Sequence, residues 1–206
     1  MPTLYDLKPK FQALLRPMMS ALHGMGITAN LVTVSAMLAS IAYGAWMALS
    51  LLQSSANRLS YLLLPLFLLL RMALNAIDGM LARECHQQSK LGAILNETGD
   101  VVSDAALYAP FAMLPGVHPA LVAVIVLLAV LTEFIGVLGQ VIGGGRRYDG
   151  PLGKSDRALV FGLLGLLFGL HIALEPYFNP AFAVVAVLLL WTVIHRTRQA
   201  LRYASL

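Results

Sequence analysis

Residues 119–142 read P-A-L-V-A-V-I-V-L-L-A-V-L-T-E-F-I-G-V-L-G-Q-V-I, an apolar run whose single charge is Glu133. About 20 apolar residues in a helix span the ~30 Å hydrocarbon core of a bilayer. The run is continuous, whereas a strand of an outer-membrane barrel alternates polar and apolar residues. Working outward, comparable runs lie at 30–52, 59–82, 92–115, 157–174 and 180–195. The spacing therefore predicts an all-α integral membrane protein with six transmembrane helices. The whole chain agrees: of its 206 residues, 59% are hydrophobic and 12% charged, with a mean hydropathy of +0.78. Soluble domains are nearer 45–50% apolar and 25% charged. These values exclude a soluble globular domain, a disordered chain and a nucleic-acid-binding protein. The single cysteine, Cys85, excludes a disulfide framework and a cysteine-based zinc site.

Before the first span, Leu4, Leu7, Phe11, Leu14, Leu15, Met18 and Leu22 recur at three- and four-residue spacing. This stripe predicts an amphipathic helix over 4–25 that lies in the membrane interface, with Pro9 and Pro17 breaking or bending it. Asp6, Lys8, Lys10 and Arg16 within the segment argue against a signal peptide. Short turns around Asn57–Arg58, Pro115–Pro119 and Glu175–Pro180 fall on one side of the membrane. The loops 83–91 and 143–156 fall on the other, with both termini. That second side holds Lys8, Lys10, Arg16, Arg83, Lys90, Arg146, Arg147, Lys154, Arg157, Arg196, Arg198 and Arg202, against Arg58 alone on the first. Positive residues face the cytoplasm, so both termini and both basic loops are expected there, at the plasma (inner) membrane if the cell is bacterial. The chain reads as one membrane domain, 1–206, with the six-helix bundle over 30–195 and a cytoplasmic tail at 196–206. It shows no strong internal repeat of the kind that marks many transporters.

Charged groups inside a membrane cost roughly 2.5–3.5 kcal/mol each and are functional suspects. Here they cluster on three consecutive spans: Arg71, Asn75 and Asp78 on the second, Asn96, Glu97, Asp100 and Asp104 on the third, Glu133 on the fourth. At about 100° per residue, the members on the second span lie within roughly 60° of one another and those on the third within roughly 100°. Asp78 is about 7–8 Å inside the end of its span marked by Arg83, and Asp100 about 12 Å inside the end marked by Gly92. Two carboxylates at similar depth, with amides beside them, suit a hard divalent cation, which takes oxygen ligands and keeps some waters. Hydrogen-bonded helix contacts without a metal are the competing reading. Arg71, Asp104 and Glu133 reach about 15–18 Å, below the carboxylate pair. One cation between two anions predicts a buried structural ion network in which Arg71 bridges Asp104, Glu133 or both.

From Asn75 the chain runs N-A-I-D-G-M-L-A-R, then eight residues, then G-A-I-L-N-E-T-G-D. This resembles the signature of the CDP-alcohol phosphatidyltransferase family, D-x2-D-G-x2-A-R-x8-G-x3-D-x3-D. Asp78, Gly79, Ala82, Arg83, Gly92 and Asp100 match, with the eight-residue gap intact; Asn75 and Asn96 stand where the family has its first and third aspartates. I-T-A-N-L-V-T entering the first span and G-P-L-G-K-S before the fifth also resemble family segments.

The resemblance implies transfer of a phosphatidyl group from CDP-diacylglycerol to a small polar alcohol, with release of CMP and help from Mg²⁺ or Mn²⁺. It implies a metal site at Asp78, Asp100, Asn75 and Asn96, with Asp100 as ligand or as the base for the acceptor hydroxyl. It implies CDP binding at Gly79, Ala82, Arg83 and Gly92; small residues there also suit plain helix packing. A homodimer and membrane lipids are the implied partners. The two amides supply oxygen but no charge, and Glu97 or Asp104 on the same stripe would offset the loss.

Two rival classes stay open: a catalytically silent member that binds nucleotide-lipid or a partner, and a small cation or solute carrier. The acceptor is open among glycerol phosphate, serine and inositol-type alcohols. G-K-S at 153–155 is no P-loop, because Tyr148 stands where that motif needs glycine and no strand precedes it. Arg146, Arg147, Lys154 and Arg157 read either as topology charges at lipid head groups or as a pocket for a phosphate on acceptor or donor. The five histidines form no ligand spacing.

Overall fold

The computed structural model describes residues 8–53, 58–173 and 175–204. Its described residues are mostly helical, with no strand among them. The helices are α1 (Lys8–Gly24), α2 (Ala29–Gln53), the one-turn α3 (Leu59–Leu62), α4 (Leu64–Glu84), α5 (Lys90–Tyr108), α6 (Pro119–Val141), α7 (Lys154–Gly169) and α8 (Glu175–Tyr203). A 3₁₀ turn, Ala109–Met113, extends α5. Six long helices thus follow α1 at the six predicted positions. Four of them, α2, α4, α6 and α8, are long and apolar enough to cross a membrane. The other two differ for visible reasons: α5 carries Lys90, Glu97, Asp100 and Asp104, and α7 is only 16 residues long.

The boundaries depart from the sequence reading in three places. Residues 59–82 form two helices because Pro65, which has no N–H, restarts the chain at α4. The last helix does not stop at 195 but runs to Tyr203, so Arg196, Arg198 and Arg202 are helical instead of lying in a tail. Of the break or bend expected at Pro17, no break occurs: helix α1 continues through it. Pro17 lies on the exposed face, while Leu15 and Met19 on the other face are buried. Pro9 sits in the first turn, where a missing N–H removes no helical bond. Leu4 and Leu7 of the amphipathic stripe, and Asn57 of the first turn, lie outside the described residues.

Small residues let these helices approach closely. On α2 the buried positions are Ala29, Val32, Ala36, Ser40, Gly44, Met47 and Ser50, one face at helical period. That face meets α4 and α5. A Cβ at Gly44 would collide with the backbone carbonyl of Ala106 on α5, so the α2–α5 contact requires glycine. Helix α8 packs along α6, and α7 lies against α3 and α4.

Two cores divide the interior. Tyr61, Tyr108, Phe111, Phe161, Phe168, Phe178 and Phe182 join one end into an apolar and aromatic cluster. Leu15 and Met19 of α1 pack with Ile77, Met80 and Leu81 of α4. Leu52, Leu127, Val141 and Trp191 instead face outward, as lipid-facing residues do. The buried set includes Arg71, Asp78, Asp104, Glu133, Arg157 and Arg196. These charges come from five helices: Arg71 and Asp78 from α4, Asp104 from α5, Glu133 from α6, Arg157 from α7 and Arg196 from α8.

Candidate active site

Asp78 sits on the last two turns of α4, buried against α2 and α5. Its Oδ2 accepts a hydrogen bond from Thr33 Oγ1 of α2 at 2.7 Å. Its Oδ1 is buried and has no hydrogen-bond partner. An acceptor left so would be costly unless a ligand meets it. One turn on, the exposed Arg83 folds its guanidinium back over Gly79, where a Cβ would lie 3.1 Å from Arg83 Nη2. Ala82 is half-buried in the packing against α1.

Across the gap, Ser89 caps α5 by accepting from Gly92 N at 2.9 Å. A Cβ at Gly92 would lie 2.7 Å from Asn30 Oδ1 of α2. Asp78 and Gly92 thus both meet α2, through Thr33 and Asn30.

Asp100, on α5, is held by groups from α4 and α7. Asn75 Nδ2 donates to its Oδ1 at 3.1 Å, and Lys154 Nζ from the start of α7 pairs with the same oxygen. Arg71 Nη2 donates to its backbone carbonyl at 3.2 Å and lies 3.7 Å from Oδ1. Asn96 is half-buried one turn earlier on α5. Among the described residues, no three His, Cys, Asp or Glu side chains gather as a metal cluster. The two amides at the signature positions account for this. The remaining donors are all oxygen, from Asp78, Asp100 and the amides, and one is the orphan Oδ1 of Asp78. That set fits a hard Mg²⁺- or Mn²⁺-type ion that keeps waters, and not a soft metal.

Deeper, the charges form a connected network. Arg71 Nη1 lies 2.7 Å from Asp104 Oδ1. Arg71 does not bridge to Glu133. That carboxylate is held by Arg157 at 2.9 Å, Arg146 at 3.5 Å and Arg196 at 3.7 Å. Arg157 was expected at the surface with Arg146, Arg147 and Lys154, and this is corrected: its side chain is fully buried. Its Nη2 reaches Asp104 Oδ2 at 2.8 Å and Glu133 Oε1 at 2.9 Å, while Nη1 donates to Thr132 Oγ1 at 3.1 Å. A helix start so close to the basic loop is buried because α5 and α6 bring carboxylates to it.

Arg146 also pairs with Glu97. Arg147 makes a two-pronged contact with Asp149 at 2.8 and 3.0 Å and lies over the Tyr203 ring. Thr33, Asn30, Thr132 and Arg196 escaped the sequence reading. Thr33 and Asn30 sit in the quoted I-T-A-N-L-V-T segment, but nothing in it says which of its polar residues turns inward.

A model of the CDP-alcohol phosphatidyltransferase family matches residues 26–197 of this chain. The inner membrane protein YnbA of Escherichia coli is 51% identical over 199 residues, 97% of this chain and 96% of that protein. The archaetidylinositol phosphate synthase of Aeropyrum pernix is 30% identical over 134 residues, 64% of this chain and 66% of that protein. Two solved structures of the Mycobacterium tuberculosis phosphatidylinositol phosphate synthase share the fold at 17% identity. The one with CDP-DAG bound has a TM-score of 0.72 and covers 91% of this chain and 94% of its own. The one in complex with manganese and citrate has a TM-score of 0.74 and covers 91% and 88%.

Proposed function

This chain belongs to the CDP-alcohol phosphatidyltransferase family, and on that premise we propose that it is a membrane enzyme of phospholipid synthesis. It moves the phosphatidyl group of CDP-diacylglycerol to a small polar alcohol and releases CMP. What supports this is Asp78 Oδ1, buried and unpartnered on α4, within the signature that also carries Asp100 on α5.

Asp78, Asp100, Asn75 and Asn96 would hold a divalent ion, which supplies charge compensation at the diphosphate and the departing CMP. Gly79, Ala82 and Gly92 would take the CDP moiety, and Arg83 would pair with a phosphate. Asn75, Lys154 and Arg71 fix Asp100 through Oδ1, which leaves Oδ2 to take the acceptor's hydroxyl proton. The freed alkoxide oxygen bonds to the phosphorus that carries diacylglycerol. The bond from that phosphorus to the CMP oxygen breaks, and CMP leaves with the electron pair.

The positive-residue count supports six crossings with both termini and the site at the cytoplasmic side, α1 lying in the interface. A homodimer belongs to the same reading. Purified protein incubated with CDP-diacylglycerol, Mg²⁺ or Mn²⁺ and a panel of alcohols should release CMP and yield a new lipid by mass spectrometry. A catalytically silent binder is the second reading. It draws on Lys154 occupying Asp100 Oδ1 and on the two amides, and it predicts CDP-diacylglycerol binding without CMP release.

A further inference from the structure

Helix α8 carries a stripe that neither the core nor the candidate active site uses. Leu188, Trp191, His195, Arg198 and Arg202 recur at three- and four-residue spacing, so they share one side of the helix. Its buried side is a different set, which includes Leu189, Thr192, Arg196 and Ala200. Along the stripe the chemistry changes once: apolar at Leu188 and Trp191, polar at His195, cationic at Arg198 and Arg202. Trp191 is 62% exposed, and both arginines are exposed.

Two clefts open on this stripe and share His195. One, of about 420 Å³, lies between Leu188, Trp191 and the loop residues Gly150 and Pro151. The other, of about 560 Å³, is lined by Arg198, Gln199, Leu201 and Arg202. The loop wall is fixed against α8. Leu152 N donates to Thr192 Oγ1 at 3.1 Å, and a Cβ at Gly150 would lie 2.5 Å from Thr192 Cγ2. Gly150 also has φ +120°, a conformation suited to glycine. Among the described residues, neither Arg198 nor Arg202 has a carboxylate within ion-pair distance. Arg202, in the last turn, gains from the carbonyl end of the helix, but that effect fades before Arg198.

We propose that the joined clefts hold an anionic phospholipid of the surrounding bilayer, its phosphate on Arg198 and Arg202 and an acyl chain along Trp191 and Leu188. The site needs α8 to cross the membrane, for which it is long and apolar enough, and it is independent of the transferase reading. Tryptophan suits the head-group level, with its ring in apolar surroundings and its N–H wet. Arg198 lies seven residues on, about 10 Å toward the water. Arginine pairs with a phosphate through two N–H groups. A second copy of the chain suits the stripe less well. Copies inserted in the same orientation would bring four arginines to one level, like charge against like.

The test reads Trp191 fluorescence in the full chain carrying Trp46→Phe, which leaves Trp191 as the single tryptophan. The protein is placed in phosphatidylcholine vesicles with a minor share of brominated phosphatidylglycerol or brominated phosphatidylcholine, whose acyl bromines quench on contact. Each basic residue near an anionic lipid is worth about fivefold, so phosphatidylglycerol should be preferred at Trp191 by about tenfold or more. Arg198→Gln with Arg202→Gln, at exposed positions, should abolish that preference. Arg16→Gln with Lys90→Gln removes the same charge from the same expected side of the membrane and should preserve it. Equal quenching by the two lipids in the Trp46→Phe parent overturns the proposal, as does an unchanged preference without Arg198 and Arg202. An equal loss without Arg16 and Lys90 overturns the cleft in favour of general surface attraction. Quenching by neither lipid means that a second copy covers Trp191, and it overturns the lipid assignment. Soluble glycerol 3-phosphate has the phosphate but no tail and should leave the preference intact. If it erases the preference, the cleft is a site for free phosphate and the assignment falls.

Discussion

Replacing Arg157 by Met keeps an apolar stem in the core and removes the guanidinium. Three of its nitrogens are engaged: Nε and Nη2 on Asp104 Oδ2 at 3.3 and 2.8 Å, Nη2 also on Glu133 at 2.9 Å, and Nη1 on Thr132 at 3.1 Å. The variant leaves Asp104 with Arg71 alone. Glu133 keeps Arg146 and Arg196 at 3.5 and 3.7 Å, neither as close as Arg157 was. Breaking a buried ion pair from one side costs about 3–5 kcal/mol. In a chain of this size each kcal/mol moves the unfolding midpoint by roughly 2–4 °C. Arg157→Met should therefore lower the midpoint in detergent by roughly 6–20 °C. Combining it with Asp104→Asn removes the carboxylate that Arg157 held most closely, and the double variant should be more stable than the sum of the singles by about 1 kcal/mol or more. Thermal unfolding followed by circular dichroism, in matched micelles, supplies both numbers. A midpoint within about 2 °C of the parent, or strictly additive singles, would refute the view that these charges form one coupled network.

Two further outcomes follow from the site and its frame. Asn75→Asp with Asn96→Asp restores two negative charges, so the Mg²⁺ concentration for half-maximal CMP release should fall; an unchanged or higher requirement argues against both as ligands. Gly44→Ala drives a methyl into the Ala106 carbonyl. It should destabilise the α2–α5 contact by about 1–3 kcal/mol in the same unfolding assay, with Ser40→Ala on the same face as the comparison.

Four of the six long helices, α2, α4, α6 and α8, were legible from long apolar runs, whereas α5 is interrupted by charges and α7 is short. Asp78 and Asp100 stood out as charges inside apolar spans, whereas Gly79, Arg83 and Gly92 stood out only through the resemblance to the family signature. What escaped depends on partners distant in sequence. Arg157 sits three residues after Lys154, and both look like topology charges. Only Asp104 and Glu133, contributed by other helices, draw one of them fully inside. Arg196 was hidden in the same way, because α8 continues past the apolar run and its guanidinium meets the Thr132 and Asp149 carbonyls. The direction of Arg71 was half legible. Depth matched it to both Asp104 and Glu133, but helix rotation decides which one it reaches, and depth arithmetic carries no rotation between helices.

The central claim is that Asp78 and Asp100 form the working centre of a phosphatidyltransferase. The most direct measurement is CMP release from CDP-diacylglycerol by the parent protein and by Asp78→Ala, both shown to be inserted and folded by matched unfolding profiles. Loss of one charged group at such a centre is expected to lower turnover by about 10²–10³-fold or more. Near-normal CMP release by Asp78→Ala would contradict the account.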